Sequence, residues 1–163
     1  MSGFTRPATW EDVKLLARYL DEAGVEYAII GGYALAAHGL TRFTQDIDVL
    51  VDPSAANSRR WIVALSRLPD GAARELEADP DVFAAQKRYA IRVNDEFTVD
   101  VLPGAAGHAW EELKPHITRI EIDGVGVKVL DLAGLLKTKQ VPRPKDQADA
   151  EAIERALELL KRK

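Results

Sequence analysis

The sequence predicts an α+β domain built around a mixed β-sheet. Strand-like and helix-like segments are interleaved over all 163 residues. Two pairs of consecutive strands are joined by short turns typical of antiparallel hairpins, while other strands are separated by helices that permit parallel pairing. No repeat, low-complexity tract or long linker divides the chain. We therefore expect a single domain over residues 1–163, with strands of both directions in one sheet.

The N-terminal part of the chain alternates helices and strands. Its predicted elements are a helix over 9–23, a strand over 25–30, a short helix over 33–38, a strand over 46–51 and a helix over 54–68. Thr9 and Ser54 are the expected N-caps, since a hydroxyl oxygen accepts a free backbone N–H at a helix start. Residues 69–86 begin with a turn and contain two candidate short helices, 72–76 and 82–86.

The C-terminal part is predicted to contain both hairpins and to end in helices. Its elements are strands over 88–93 and 97–102, a short helix over 109–113, strands over 117–122 and 125–130, a helix over 132–140 and a last helix from 144. Asp123-Gly124 is a typical hairpin turn. Asp131 is the expected cap of the helix that follows it, and Pro144 suits the first turn of the last helix. The portion over about residues 131–163 should therefore be helical.

Two aspartates stand one residue apart in an apolar segment. Asp46 and Asp48 flank Ile47, and alternate residues of a strand point to the same face. Their Cα atoms would lie about 7 Å apart. Such carboxylates raise each other's pKa unless a cation lies between them, and Mg²⁺ suits carboxylate oxygens together with substrate phosphates. The alternative interpretation is the solvated face of an edge strand.

A third acid, Asp100, lies alone in the apolar strand over 97–102. If this strand lay beside the strand over 46–51, three carboxylates would meet. Such a set can hold two divalent ions about 3.5–4 Å apart for phosphoryl or nucleotidyl transfer. Asp100 would then also be the candidate general base. The alternative is a solvent-facing residue, or one paired with a nearby arginine such as Arg92.

A glycine pair, Gly31 and Gly32, separates the first strand from the short helix. Without side chains the backbone can approach a phosphate closely, and N–H groups at a helix start can bind phosphate oxygens. For such a pair alone, a plain turn is the default explanation. The phosphate-binding interpretation therefore depends on the acids that follow, since thirteen residues separate Gly32 from Asp46.

In combination, these motifs resemble the pattern of the DNA polymerase β-like nucleotidyltransferase superfamily. That pattern places Gly-Gly or Gly-Ser after an apolar residue, then a spacer like the one found here, then Asp-x-Asp between apolar residues and a later acid. The segment Thr41-Arg42-Phe43-Thr44 resembles the Arg-x-Thr segment before the acids of small bacterial members. The core likeness covers residues 25–102. Within the superfamily the chain is most similar to the minimal nucleotidyltransferases and the AbiEii-type toxins.

The resemblance implies a mixed-sheet nucleotidyltransferase fold, a nucleoside triphosphate and Mg²⁺, as two ions, with Mn²⁺ as the alternative. The acids Asp46, Asp48 and Asp100 would bind the metal and carry the catalysis. The expected nucleotide-binding residues are Gly31, Gly32, Arg42, Thr44, Lys139 and Arg143. From the residue alone, Arg42 could equally be an exposed loop arginine.

The resemblance leaves the acceptor hydroxyl open. An RNA end, such as that of a tRNA, and a small hydroxylated molecule are the two candidates. The likeness to toxins suggests a toxin–antitoxin component with an antitoxin or another protein partner. A non-catalytic interaction module, such as an antitoxin or a regulatory subunit on the same fold, is the alternative function.

A basic cluster near the C-terminus extends the resemblance. Lys139 lies three and four residues beyond Leu136 and Leu135, so it continues the apolar face of its helix. With Arg143 and the acids Asp146 and Asp149 it resembles the Lys–spacer–Arg-x-Lys-Asp-x-x-Asp run of the AbiEii-like group. By that resemblance Lys139 and Arg143 would contact triphosphate or acceptor, with the acids orienting them. Lys137 could substitute for Lys139, and an ordinary loop before a charged helix turn is the alternative interpretation.

Composition narrows the classes of partner. A net charge of −4 argues weakly against a general nucleic-acid binder, although residues 137–145 form a local basic patch. The chain has no cysteine, which excludes disulfides and thiolate metal sites and fits a cytoplasmic location. No apolar segment approaches the roughly 20 residues of a membrane-spanning helix, so no membrane partner is expected.

Overall fold

The structure, a computed structural model, describes residues 5–40, 44–140 and 143–162. Its strands are β1 (Tyr27–Ile30), β2 (Ile47–Val51), β3 (Ile91–Asn94), β4 (Thr98–Leu102), β5 (Gly104–Ala105), β6 (His108–Ala109), β7 (Ile117–Ile122) and β8 (Val125–Leu130). Its α-helices are α1 (Trp10–Glu22), α2 (Gly31–Ala37), α3 (Ala55–Leu65), α4 (Trp110–Leu113), α5 (Leu132–Thr138) and α6 (Pro144–Lys161). Two 3₁₀ helices cover Ala72–Ala78 and Lys114–His116.

Six strands form one mixed sheet in the order β3-β4-β2-β1-β8-β7, while β5 and β6 pair separately. Both predicted hairpins are present, because β3 pairs antiparallel with β4 and β7 pairs antiparallel with β8. The β7–β8 turn uses positive φ at Asp123 and Gly124, as its sequence predicts. Two parallel pairs, β1 with β8 and β2 with β4, join the hairpins to the centre of the sheet. The predicted α+β class with a mixed sheet is confirmed.

Local sequence signals correctly predicted the caps of three α-helices, α1, α3 and α5. Thr9 accepts the backbone N–H of Asp12, and Asp12 in return accepts the N–H of Thr9, which completes a capping box at α1. Ser54 caps α3 and Asp131 caps α5, as predicted. No helix in the described ranges is long and apolar enough to cross a membrane.

One candidate helix is absent, and one predicted helix begins at a different residue. The short helix expected over 82–86 is a series of turns, closed by hydrogen bonds from Gln86 to Asp81 and from Arg88 to Val82. Lys87, with φ of 55°, takes a left-handed conformation that a helix does not continue through. The helix expected from Tyr33 begins two residues earlier, so the glycine pair forms its first turn instead of preceding it.

Packing between non-adjacent elements brings the ends of several elements together. Helix α1 packs against α3 and β8, and the largest side chains of the core are fully buried. Those side chains are Trp61, Trp110, Tyr27 and Phe97. Helix α5 packs against both α2 and α6. The start of α2 therefore lies near the end of α5, although about a hundred residues separate them in the chain.

Candidate active site

A cavity of about 930 Å³ lies where β1, β2 and β4 meet the ends of α2, α5 and α6. It is lined by every predicted site residue within the described ranges. These residues are Gly31, Gly32, Thr44, Asp46, Asp48, Asp100, Lys139 and Arg143. Arg42, the remaining predicted residue, lies outside the described residues. Chain segments far apart in sequence are thus gathered around one space large enough for a nucleotide-sized ligand.

The three acids come from two neighbouring parallel strands. In the register of β2 and β4, Asp48 lies directly opposite Asp100. Asp46 precedes β2, which begins at Ile47, and it lines the same cavity. The apolar neighbours Ile47 and Val49 are buried in the core, as strand alternation predicts. The sequence-based hypothesis required the strand of Asp100 to lie beside the strand of Asp48, and it does.

The environment of Asp48 strongly perturbs its carboxyl group. Burial of its carboxyl, together with the nearby charges of Asp100 and Asp46, raises its pKa to about 7, and Lys139 opposes the shift in part. A carboxyl with this pKa is a substantial acceptor for a proton or a cation near neutral pH. In the metal-free cavity the ionised form of Asp48 is therefore disfavoured, first by burial and then by the two neighbouring acids.

Gly31 is required by the position of Asp48. In the antiparallel pairing of β1 and β2, Ile30 lies opposite Asp48. The chain therefore leaves the strand at Gly31, directly beside the Asp48 carboxylate. Gly31 has a φ of 72°, and a Cβ at this position would collide with the Asp48 carboxylate. Glycine alone satisfies both demands at low cost. Sequence reasoning attributed the glycine to a phosphate, whereas the structure shows an intramolecular reason for it.

Gly32 and Thr44 form a second close contact in the cavity wall. A Cβ on Gly32 would lie 2.6 Å from Cβ of Thr44. The Thr44 hydroxyl donates a hydrogen bond of 3.0 Å to the backbone carbonyl of Asp46. Thr44 therefore helps to hold the chain that leads into β2. Ile30, the N-cap residue of α2, makes no side-chain capping hydrogen bond, and the phosphate-binding role of the glycine pair stays a prediction.

Arg92 is a site residue that sequence reasoning named only as a pairing partner. It lies opposite Asp100 in the β3–β4 register. Its Nε donates to Oδ1 of Asp100 at 2.8 Å and its Nη2 donates to Oδ2 at 3.1 Å. The same Nη2 lies 3.6 Å from Oδ2 of Asp46. Both interpretations of Asp100 thus hold together, because it joins the other acids and it also pairs with Arg92.

Lys139 and Arg143 are held by acids of α6. Nζ of Lys139 lies 3.3 Å from Asp146 and 3.1 Å from Asp149. Arg143 donates to Asp146 as well. Burial of Asp146 disfavours its ionised form, but hydrogen bonds from Arg143 and Lys139 outweigh that effect and hold its pKa below the ordinary value. Between the two candidate lysines, Lys139 lines the cavity and Lys137 does not.

The donor chemistry of the three acids fits a divalent metal ion. Carboxylate oxygens are the ligands that Mg²⁺ and Mn²⁺ prefer, and the charge at Asp48 favours a cation. In the arrangement seen within the described ranges, however, no three His, Cys, Asp or Glu side chains form a ready metal-binding group. The guanidinium of Arg92 contacts Asp100 and Asp46 where a cation would compete for the same oxygens.

A solved structure resembles this chain over most of its length. A protein from Thermotoga maritima, provisionally assigned as a nucleotidyltransferase, superposes over 94% of this chain and 94% of its own with a TM-score of 0.55 and 14% identity. The chain has a nucleotidyltransferase fold. At this identity the likeness shows the fold, so any activity must be argued from the cavity itself.

Other comparisons add no functional argument. An antigenic nucleotidyltransferase-like protein from Paracoccidioides brasiliensis matches 90% of this chain and 77% of its own at 17% identity, but its TM-score is only 0.44. The chain matches no protein-family model and no curated protein.

Proposed function

We propose that this protein is a Mg²⁺-dependent nucleotidyltransferase that moves a nucleoside monophosphate from a nucleoside triphosphate to an acceptor hydroxyl. The observation that carries the proposal is the facing pair of Asp48 and Asp100, with Asp46 in the same cavity. Sets of carboxylates on adjacent strands suit in-line transfer at phosphorus. The cavity also contains Lys139 and Arg143, cations that suit a triphosphate.

In this proposal, Asp46, Asp48 and Asp100 would hold the metal. When bound, the metal would supply charge neutralisation and alignment of the triphosphate. Asp100 would accept the proton of the acceptor hydroxyl as its oxygen bonds to the α-phosphorus. The bond from that phosphorus to the bridging oxygen would break, and pyrophosphate would leave. Lys139 and Arg143 would stabilise the charge that develops on the pyrophosphate.

The remaining predicted contacts concern the nucleotide. Gly31 and Gly32 would bring the backbone of α2 close to the phosphates, and Thr44 would hold the segment that faces them. Arg42, which lies outside the described residues, would contact a phosphate or the base. Mn²⁺ would substitute for Mg²⁺, since both bind carboxylate oxygens.

The acceptor would be an RNA end, such as that of a tRNA, or a small hydroxylated molecule. The likeness of the C-terminal motif to AbiEii-type toxins favours RNA and a cytoplasmic toxin–antitoxin role with a protein partner. Arg143 and Lys145 add local positive charge at the cavity. If RNA is the acceptor, its binding should weaken steeply as salt rises.

Label transfer tests the proposal. Wild-type protein and the double variant Asp46→Asn/Asp48→Asn would be incubated with Mg²⁺, each α-labelled nucleoside triphosphate, and separated lysate fractions of RNA, protein and small molecules. We expect label in one fraction with the wild-type protein and none with the double variant, whose folding is checked by circular dichroism. Equal transfer by both proteins would refute the assignment of the acids.

A non-catalytic interaction module on the same fold is the second candidate. It would explain a folded wild-type protein that transfers no label to any fraction and that copurifies with a partner chain. Retention of all three acids in the cavity favours the enzyme over this alternative.

A further inference from the structure

Arg92 is the cation that directly neutralises the acidic cavity wall. Within the described residues, it is the one Lys or Arg side chain at ion-pair distance from Asp46 and Asp100. The other cavity cations have different partners, since Lys139 contacts Asp146 and Asp149 and Arg143 contacts Asp146. The charge of Asp46 and Asp100 is therefore balanced chiefly from β3, the edge strand of the sheet.

Arg92 and a bound metal ion would compete for the same carboxylate of Asp100. Both carboxylate oxygens of Asp100 accept hydrogen bonds from the guanidinium of Arg92. A divalent cation that binds the remaining lone pairs of those oxygens would be repelled by the positive guanidinium a few ångströms away. Cation binding at Asp100 thus favours withdrawal of Arg92.

The surroundings of Arg92 permit that withdrawal. Its side chain is 60% exposed, whereas that of Asp100 is 18% exposed, so the arginine has more room than the aspartate to change its rotamer. A second cavity, of about 380 Å³, is also lined by Arg92 and shares Ala90 with the first. Glu75 lines this second cavity and makes no ion pair with another described residue. The withdrawn guanidinium would have both space and a carboxylate partner.

We propose that Arg92 is a positioning residue that holds Asp100 and Asp46 in place until a divalent cation displaces it. This inference rests on the proposed cation site. Arg92 is then a competitor of the metal, and its removal should strengthen metal binding. Because loss of any nearby positive charge favours a cation, the change that reports displacement is loss of the two-point contact at constant charge, in Arg92→Lys.

Mn²⁺ titration by isothermal calorimetry tests this proposal without any nucleotide. Arg92→Gln should bind Mn²⁺ about two- to fivefold more tightly than the wild type, the range that a partly exposed ion pair supplies. Arg92→Lys keeps the charge but loses the two-point contact, so its affinity should fall between them. Arg119→Gln is the matched control. It removes an arginine of the opposite edge strand, 55% exposed and paired with Asp21, and should bind like the wild type.

The outcomes separate this inference from the proposed function. If Arg92→Gln binds Mn²⁺ equally or more weakly than the wild type, the displacement proposal is wrong and the metal site stands. If no variant and no wild-type protein binds Mn²⁺, both are overturned. If only Arg92→Gln binds, the competition is stronger than expected and the proposal is supported.

A second readout does not depend on a variant's fold. In the wild type, Nε–H of Arg92 donates to Asp100, so its NMR signal should be protected from exchange with water. Addition of Mg²⁺ should shift that signal and speed its exchange, with assignment from its absence in Arg92→Lys. An Arg92 signal that is unchanged at saturating Mg²⁺ would overturn the proposal.

Discussion

Asp48 of β2 and Asp100 of β4 lie opposite each other in a parallel strand pair, and the pKa of Asp48 is raised to about 7. This relationship connects the fold to its chemistry. The parallel register brings two carboxylates together, and burial with mutual repulsion makes their joint ionisation costly. A site of this kind is stabilised by a cation, which is what in-line transfer at a phosphate needs.

The raised pKa of Asp48 predicts how stability varies with pH. The folded protein keeps a proton on Asp48 that the unfolded chain releases above about pH 4. The free energy of unfolding of the metal-free protein should therefore fall as pH rises from about 4 to about 7, and this contribution should level off above that range. Asp48→Asn should lack this pH dependence. Its free energy of unfolding should therefore rise by roughly 1–4 kcal/mol relative to that of the wild type across this pH range.

Urea unfolding in a metal chelator at several pH values measures this difference. Glu154→Gln, which removes an exposed carboxyl of α6, controls for the loss of one negative charge. A gap between Asp48→Asn and the wild type that stays constant from pH 4 to pH 8 would contradict the assigned environment of Asp48.

The glycine at the start of α2 gives a prediction with an internal control. Gly31→Ala should destabilise the fold through both its φ of 72° and the collision of Cβ with the Asp48 carboxylate. Gly39 has φ of 85° but open space around its Cβ position, so Gly39→Ala should suffer backbone strain alone, of about 1–2 kcal/mol. We expect Gly31→Ala to lose about 1–3 kcal/mol more, the usual cost of overpacking.

Chemical denaturation of both glycine variants measures the difference. Equal losses would show that Asp48 accommodates a methyl group and that Gly31 is required for its backbone conformation only.

Substitution of Lys139 and of Lys137 should affect nucleotidyl transfer to different extents. Lys139 lines the cavity, whereas Lys137 does not, so Lys139→Met should lower kcat/KM about 10²–10³-fold and Lys137→Met should change it little. Lys139 also pairs with the buried Asp146, so Lys139→Met could destabilise the fold. A second variant, Lys139→Arg, keeps the positive charge for that ion pair. We expect Lys139→Arg to restore folding stability and part of the activity.

Rates for the lysine variants are compared at equal folded fraction, measured by thermal unfolding. A Lys137→Met variant as defective as Lys139→Met would indicate that the last turn of α5 reaches the substrate in another way.

Sequence signals with short range predicted much of this fold. Thr9, Ser54 and Asp131 cap their helices because capping depends on a few neighbouring residues. Asp123-Gly124 forms its hairpin for the same local reason. The spacing of the glycine pair and the acids was also visible in the sequence, and it led to residues that line one cavity.

Long-range packing accounts for what the sequence did not show. The collision that excludes a side chain at Gly31 depends on the register of β1 with β2, which no local pattern encodes. The parallel neighbourhood of β2 and β4 was expected only through resemblance. The predicted strands over 88–93 and 97–102, joined through 94–96, would place Ala90 opposite Asp100, whereas the observed register places Arg92 there. The contact of Arg92 with Asp46 required the three-dimensional structure.

The most direct test of the central claim compares the fate of two labels. Wild-type protein with Mg²⁺ and its preferred triphosphate, labelled at the α- or the γ-phosphate, would be incubated with the acceptor fraction, beside Asp100→Asn. The account predicts that α-label joins the acceptor, that γ-label appears in pyrophosphate, and that Asp100→Asn does neither. Transfer of the γ-label to the acceptor, or unchanged activity of Asp100→Asn, would contradict it.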